Sequence, residues 1–262
     1  MNTERPSESQ VENREKKPFK ADLRVDFIRH GKPDYTKEEK ESAEYEGSLS
    51  SESREKVRAE AQEMAKTINK DGEFVVFLST PKRRGIQTAE IYKEAFEKEG
   101  VSMYGGPLNT ATELRDLKVT PEFTAQLDEA TARGEIDGWK DWMEYWSKRT
   151  DLPEGTETPE EIKVRITRVL LYLEKLSRIL SSLNGKKIHF FCFGHEETVR
   201  DLLEEAYGMG TKAGTGPIYG EALRMDIFKS EKDKDAVFDL KYGEDKATLG
   251  FNDKSGNFYK PE

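Results

Sequence analysis

The sequence holds one cysteine, Cys192, in 262 residues. A disulfide framework within one chain is therefore excluded. No apolar stretch follows the basic residues near the N-terminus, so no signal peptide is visible. No run is long and apolar enough to cross a bilayer. Basic residues are outnumbered and the formal net charge is -9. That balance argues against a general binder of nucleic acid or other polyanions, although a small anionic substrate responds to local charge. Histidine is scarce, at three residues, and no carboxylate cluster has a pattern suited to Mg²⁺. No internal repeat is visible. The expectation is a cytoplasmic protein with a small-molecule substrate, no nucleic-acid partner and no membrane association.

Hydrophobic residues make up 34% and charged residues 36% of the chain. The apolar positions are patterned well enough to build a core. Residues 1–20 are polar and charged and read as a disordered tail; residues 21–262 read as one domain. Leu23, Val25 and Phe27 alternate with polar residues and lead into Ile28, a strand pattern that ends at Arg29-His30-Gly31. Ser50 or Ser51 can cap a helix starting near Glu52, with Val57, Ala61, Met64, Ala65 and Ile68 on one face. Phe74 to Leu78 has the length of a buried parallel strand and ends at Ser79-Thr80-Pro81. The following helix turns Ile86, Ala89, Tyr92 and Phe96 inward and ends at Gly100.

Residues 121–149 read as one or two helices, part of a helical insertion at about 120–158. Residues 159–183 carry the longest helical pattern, closed by Asn184-Gly185. Ile188 to Phe193 is another buried strand, ending at Gly194-His195, and a helix from Glu196 to Tyr207 follows. Ala222 to Phe228 and Ala236 to Tyr242 read as a terminal hairpin. Strands alternating with helices predict a three-layer α/β/α sandwich with a mostly parallel central sheet and a C-terminal β extension. Ligands of such sheets bind beyond the carboxyl ends of the strands. Three candidate strand ends carry chemistry: Arg29-His30, the loop leading to Arg84, and His195.

A neutral imidazole is a good nucleophile toward phosphorus and needs no metal. Its target is negative, so the site must supply fixed positive groups. Arginine fits because its planar fork matches phosphate oxygens. Arg29 adjoins His30, and Arg84 lies at the start of a helix, where backbone N–H groups also favour an anion. His195 can donate to phosphoryl oxygens. A carboxylic acid is then needed to protonate the leaving alcohol and later to activate water. His189, inside a strand, reads as an ordinary strand residue.

These segments resemble the histidine phosphatase superfamily, the phosphoglycerate mutase-like group. Val25-Asp26-Phe27-Ile28-Arg29-His30-Gly31 is similar to its Arg-His-Gly strand end. The run from Ser79 to Glu90 is similar to its second motif, in a register that puts the phosphate-binding arginine on Arg84. Gly155-Thr156-Glu157-Thr158 with Arg165 resembles a weaker motif, Gly-Glu-Ser with a later Arg. Phe193-Gly194-His195 followed by Val199-Arg200 resembles the last. The resemblance spans residues 23 to about 207. It implies a phosphatase with His30 as nucleophile and with Arg29, Arg84 and His195 on the phosphoryl group. It implies no metal and no other cofactor.

The family's Asn six residues after the nucleophile is replaced by Thr36, a candidate phosphate contact. The family's acid falls best on Asp116 in Leu114-Arg115-Asp116-Leu117. Glu113 and Glu196 compete for that role, Glu196 because one branch of the family places its acid there. Lys32, Lys82 and Arg83 either extend a positive funnel or are solvated charges. Trp139, Trp142 and Trp146, with Tyr145, form either a pocket wall or a packed face, which includes the option of a homodimer interface. Cys192 reads as core. Hydrolysis is favoured over a phosphoglycerate mutase, because Leu117-Lys118-Val119 after the acid lacks the mutases' basic signature. The alternative from another class is a catalytically weak phospho-ligand-binding scaffold.

Overall fold

The computed structural model describes residues 23–36, 47–137, 141–208, 216–229, 236–252 and 257–261. The tail expected over residues 1–20, and Trp139, lie outside them. In chain order the elements begin with β1 (Leu23–Arg29), β2 (Pro33–Asp34), β3 (Ser48–Leu49), α1 (Ser51–Lys66), β4 (Glu73–Ser79) and α2 (Arg83–Lys98). They continue with β5 (Asn109–Thr110), a 3₁₀ turn (Thr112–Leu114), α3 (Pro121–Ala132), α4 (Trp142–Ser147) and α5 (Pro159–Asn184). The last are β6 (Lys187–Gly194), α6 (Glu196–Tyr207), β7 (Ala222–Lys229), β8 (Ala236–Tyr242), β9 (Asp245–Asn252) and β10 (Asn257–Tyr259).

Among the described residues one eight-stranded sheet runs in the order β10-β9-β8-β7-β1-β6-β4-β5. The pairs β1/β6, β6/β4 and β4/β5 are parallel. From β7 outward every pair is antiparallel. The β7–β8 hairpin is as the alternation predicts, but β9 and β10 continue it and β7 joins it to β1. The turn from β8 to β9 places Gly243 at φ +57°, a region that a β-carbon disfavours.

The period of two along each parallel strand divides its side chains between two cores. Leu23, Val25 and Phe27 of β1, Val76 and Leu78 of β4, and Ile188, Phe190 and Cys192 of β6 meet Ile162, Ile166 and Leu173 of α5 and Leu202 and Leu203 of α6. On the other face Ile28, Val75, Phe77, Phe191 and Phe193 meet Val57 and Ala61 of α1 and Ala89, Tyr92 and Phe96 of α2. Helices on both faces of the sheet make the three layers. In the second core Phe77, Tyr92, Phe96, Phe191 and Phe193 form a ring cluster with centroids 5.0–6.3 Å apart. Each such pair is worth about 0.5–1.5 kcal/mol beyond burial.

The helix starts follow local chemistry. Ser50 caps α1, its side chain accepting from Ser53 N–H at 3.1 Å. Thr120 caps α3 in the same way, followed by Pro121 in the first turn. His189 is a core residue: fully buried, it donates through Nε2 to Asp26 at 2.7 Å. Arg224 of β7 donates to the same carboxylate at 2.8 and 3.1 Å. Burial alone would raise the Asp26 pKa, but the His189 and Arg224 contacts hold it below the ordinary value.

Candidate active site

His30 lies just past the end of β1, and its backbone N–H is tied to Gly194 O at the end of β6 at 3.0 Å. The next residue must be small. A β-carbon on Gly31 would come within 2.7 Å of Ser53 Oγ and 2.8 Å of Val57 Cγ2. The absence of a side chain lets the turn press against α1. His30 Nδ1 is 2.8 Å from the Gly31 carbonyl, which can only accept, so Nδ1 carries the proton. Nε2 then presents its lone pair, and Arg84 Nε–H donates to it at 3.0 Å.

Arg84, in the first turn of α2, is the hub. Its Nη2 donates to His195 Nδ1 at 3.2 Å and to Asp116 Oδ2 at 3.2 Å. A guanidinium cannot accept, so Nδ1 of His195 is the acceptor and its Nε2–H donates to Thr80 Oγ1 at 3.1 Å. The Thr80 methyl fills the space that a side chain at residue 85 would need: a β-carbon on Gly85 would come within 2.1 Å of Thr80 Cγ2. The two histidine rings meet edge to face with centroids 4.9 Å apart. Lys82, half-buried at the head of α2, makes no side-chain cap.

The electrostatics suit a nucleophile. Burial, then the charge of Arg84, pushes His30 down to about 3; the Gly31 carbonyl opposes this weakly and Arg29 adds to it. His30 is therefore neutral across the physiological range. His195 is lowered too, first by burial and then by His30, Arg84, Lys82 and Arg29.

Arg29 stands beside this cluster rather than within it. It is 2.6 Å from Glu196, donates to Pro217 O at 2.6 Å, and lies 4.1 Å from the Tyr219 ring centre. Glu196 is gripped from the other side by Arg200, whose Nε donates to it at 2.8 Å. Its carboxylate thus sits between two guanidinium groups. Glu113 is exposed on the 3₁₀ turn. It lines a separate groove of about 710 Å³ between α5 and the sheet edge, with Val76, Leu78, Leu173 and Leu176. Thr36 is exposed on the segment after β2. The structure thus brings His30, Arg84, His195 and Asp116 together, keeps Arg29 and Glu196 alongside as a pair, and puts Glu113 on the lining of another groove.

The remaining candidates have plain positions. Arg83 and Lys32 are exposed. Trp146 is buried and its indole N–H donates to Glu157 O at 2.8 Å; Trp142 is half-buried against the first core. Cys192 is buried at the sheet centre, and burial pushes its thiol pKa up. Among the described residues no cluster of His, Cys, Asp or Glu is arranged to hold a metal ion, and no helix is long and apolar enough to cross a membrane.

Two residues that carry no role in the sequence pattern stand next to the histidines. Thr80 lies within the second motif, between its serine and its proline, with nothing local to mark it as a histidine partner. Tyr219 has no local signal: it comes from the Gly216-Pro217-Ile218-Tyr219-Gly220 loop and places its ring 5.7 Å from His30.

Comparison with solved structures finds the same fold at low identity. A mycobacterial glucosyl-3-phosphoglycerate phosphatase superposes with a TM-score of 0.55 at 15% identity, over 84% of this chain and 97% of that one. A phosphoglycerate mutase from Bacillus anthracis superposes with a TM-score of 0.51 at 16% identity, over 78% and 87%. No curated protein sequence matches the chain. The family model described as "Histidine phosphatase superfamily (branch 1)" matches residues 25–222, a span that contains all four clustered residues, and the chain belongs to that superfamily.

Proposed function

We propose that the protein hydrolyses phosphate monoesters through a phosphohistidine formed on Nε2 of His30. The observation that carries this reading is the Arg84 guanidinium, which joins the lone pair of His30, the ring of His195 and the carboxylate of Asp116 within 3.2 Å. A phosphoryl group taking over those N–H donors meets the nucleophile, its charge stabiliser and its acid at one point. Nε2 attacks phosphorus, the ester P–O bond breaks, and the leaving oxygen takes the proton of the Asp116 carboxylic acid. In the second half Asp116 removes a proton from water. The oxygen attacks phosphorus, the P–N bond breaks, and its electron pair returns to Nε2 as inorganic phosphate leaves. Arg84 holds the phosphoryl oxygens throughout, and His195 joins it when its Nε2–H turns from Thr80 to a phosphoryl oxygen. Arg29 adds positive potential from beside the site and is itself oriented by Glu196.

Rapid quench with a labelled monoester is the test. Acid-labile, base-stable label should appear on His30 and chase into inorganic phosphate. His30→Ala should remove both label and turnover while the melting temperature holds. Label that passes to a phosphorylated acid in preference to water identifies a mutase. Phosphate affinity without turnover identifies a scaffold.

A further inference from the structure

Asp116 is carried by a segment with no secondary structure of its own. Residues 115–120 belong to neither helix nor strand, so no ladder of backbone hydrogen bonds fixes where the carboxylate stands. Side chains from elsewhere supply the missing partners. Arg165, on the first turns of α5 and 8% exposed, donates through Nη1 to the Glu113 carbonyl at 2.7 Å and to the Arg115 carbonyl at 2.8 Å. Its Nε and Nη2 grip Glu157 at 2.9 and 3.1 Å. Arg115 grips the same carboxylate from the other side, at 2.9 and 3.0 Å, and donates to the Asp116 carbonyl at 2.8 Å. Glu157 also accepts from Lys118 N–H at 3.3 Å, and its own N–H donates to the Lys118 carbonyl at 2.8 Å. Beyond it, Leu117 N–H donates to Glu197 of α6 at 2.8 Å.

The charge balance makes sense of this arrangement. Two guanidinium groups share one buried carboxylate, which leaves N–H donors in surplus. The surplus goes to the acid segment, at the carbonyls of Glu113, Arg115 and Asp116. Leu114 and Leu117, buried in the first core, hold the same segment from the apolar side.

We infer that Arg115, Glu157 and Arg165 are positioning residues that hold Asp116 at proton-transfer distance from the leaving oxygen. This rests on the reading of Asp116 as the proton donor. The helical insertion then acts as a brace, because Trp146 of α4 fixes the Glu157 carbonyl and so supports the clamp from behind. Small displacements of a catalytic group can cost as much as about 10²-fold.

The test compares an alkyl phosphate, whose leaving group needs a proton, with p-nitrophenyl phosphate, whose leaving group hardly does. Glu157→Gln should lower kcat/KM on the alkyl ester by about tenfold or more and on p-nitrophenyl phosphate by less than about threefold. Arg115→Gln, at a partly exposed position, should show the same selectivity to a smaller degree and serves if Glu157→Gln does not fold. Arg115→Lys, which keeps the charge but not the fork, should rescue only part of the loss. In an Asp116→Asn background neither variant should add selective loss. Equal losses on both esters, tracking a fall in melting temperature, would make the cluster structural only and overturn the inference. If Asp116→Asn is itself unselective, the reading of the acid fails instead. If Asp116→Asn is selective and both clamp variants are not, the inference alone fails.

Discussion

The two halves of the sheet are built differently. In the parallel half, every residue of β6 from Ile188 to Gly194 is buried, His189 included. In the antiparallel half, β8 buries Phe238 and Leu240 and exposes Asp239 and Lys241. Crossover helices cover both faces of parallel strands, whereas a meander is free to keep one face in water. The difference sorts chemistry from support. Only where both faces are covered can strand ends present side chains to a site shielded from the sides. His30 and His195 follow two such strands, and Thr80 follows a third. The antiparallel half closes the first core with Met225, Phe238 and Phe251. Among the described residues it reaches the site through the loop that carries Tyr219.

Substitutions can break this contrast or sharpen it. The largest effect is expected at the site that the parallel strand ends frame. Asp116→Asn should slow hydrolysis of an alkyl phosphate about 10²–10⁴-fold more than that of p-nitrophenyl phosphate. Glu113→Gln and Glu196→Gln should lack this selectivity, since one lines another groove and the other is held between Arg29 and Arg200. Selective loss at either would move the acid there and leave the histidine chemistry intact.

Stability comes next. Phe191→Ala, on the second face of the parallel half, should cost about 3–5 kcal/mol in denaturant unfolding. Asp239→Ala, on the same face of the antiparallel half, should stay within about 0.5 kcal/mol. Comparable costs would erase the two-sided versus one-sided distinction. The pH effect is smaller. The unfolded chain protonates His30 near 6.5 and the folded chain near 3, so the unfolded state binds more protons between those values. The stability associated with neutral His30 is therefore complete above about 6.5 and declines as pH falls toward 3. The acid limb of kcat/KM, corrected for the substrate's own ionisation near pH 6, should likewise lie well below 6.5. An acid limb at 6.5 would mean an ordinary histidine. The smallest effect is none: dialysis against EDTA should leave turnover unchanged, and restoration of lost activity by a divalent cation would sink a site built on arginine and histidine.

Much of the parallel half is legible in the sequence because its signals are local. The unbroken run Phe74 to Leu78, the capping Ser50 and the stop at Gly185 each act over a few residues, and each appears in the structure where the pattern puts it. The anchoring of the segment that carries Asp116 is legible through its flanking leucines, both of which are buried. Strands β5 and β10 are not, because two or three residues carry no period, and β9 mixes exposed charges with a buried end. Glu157 and Arg165 stand out as a motif, but their purpose depends on a backbone N–H and carbonyls about 40–50 residues away. Tyr219 and the Asp26–His189–Arg224 group join strands distant in sequence, and no spacing rule connects them.

The lone thiol turns the sheet centre into its own reporter. Cys192 has no exposed surface and no second cysteine with which to exchange. A water-soluble disulfide reagent can react with it only when the layer of α5 and α6 lifts from the sheet or the sheet itself opens. The rate of thiol labelling under native conditions therefore counts openings of the doubly covered half. Phosphate or a substrate analogue bound between His30, Arg84 and His195 bridges the ends of β1, α2 and β6. It should slow that labelling in proportion to its occupancy, so ligand affinity can be read by mass spectrometry without any turnover at all.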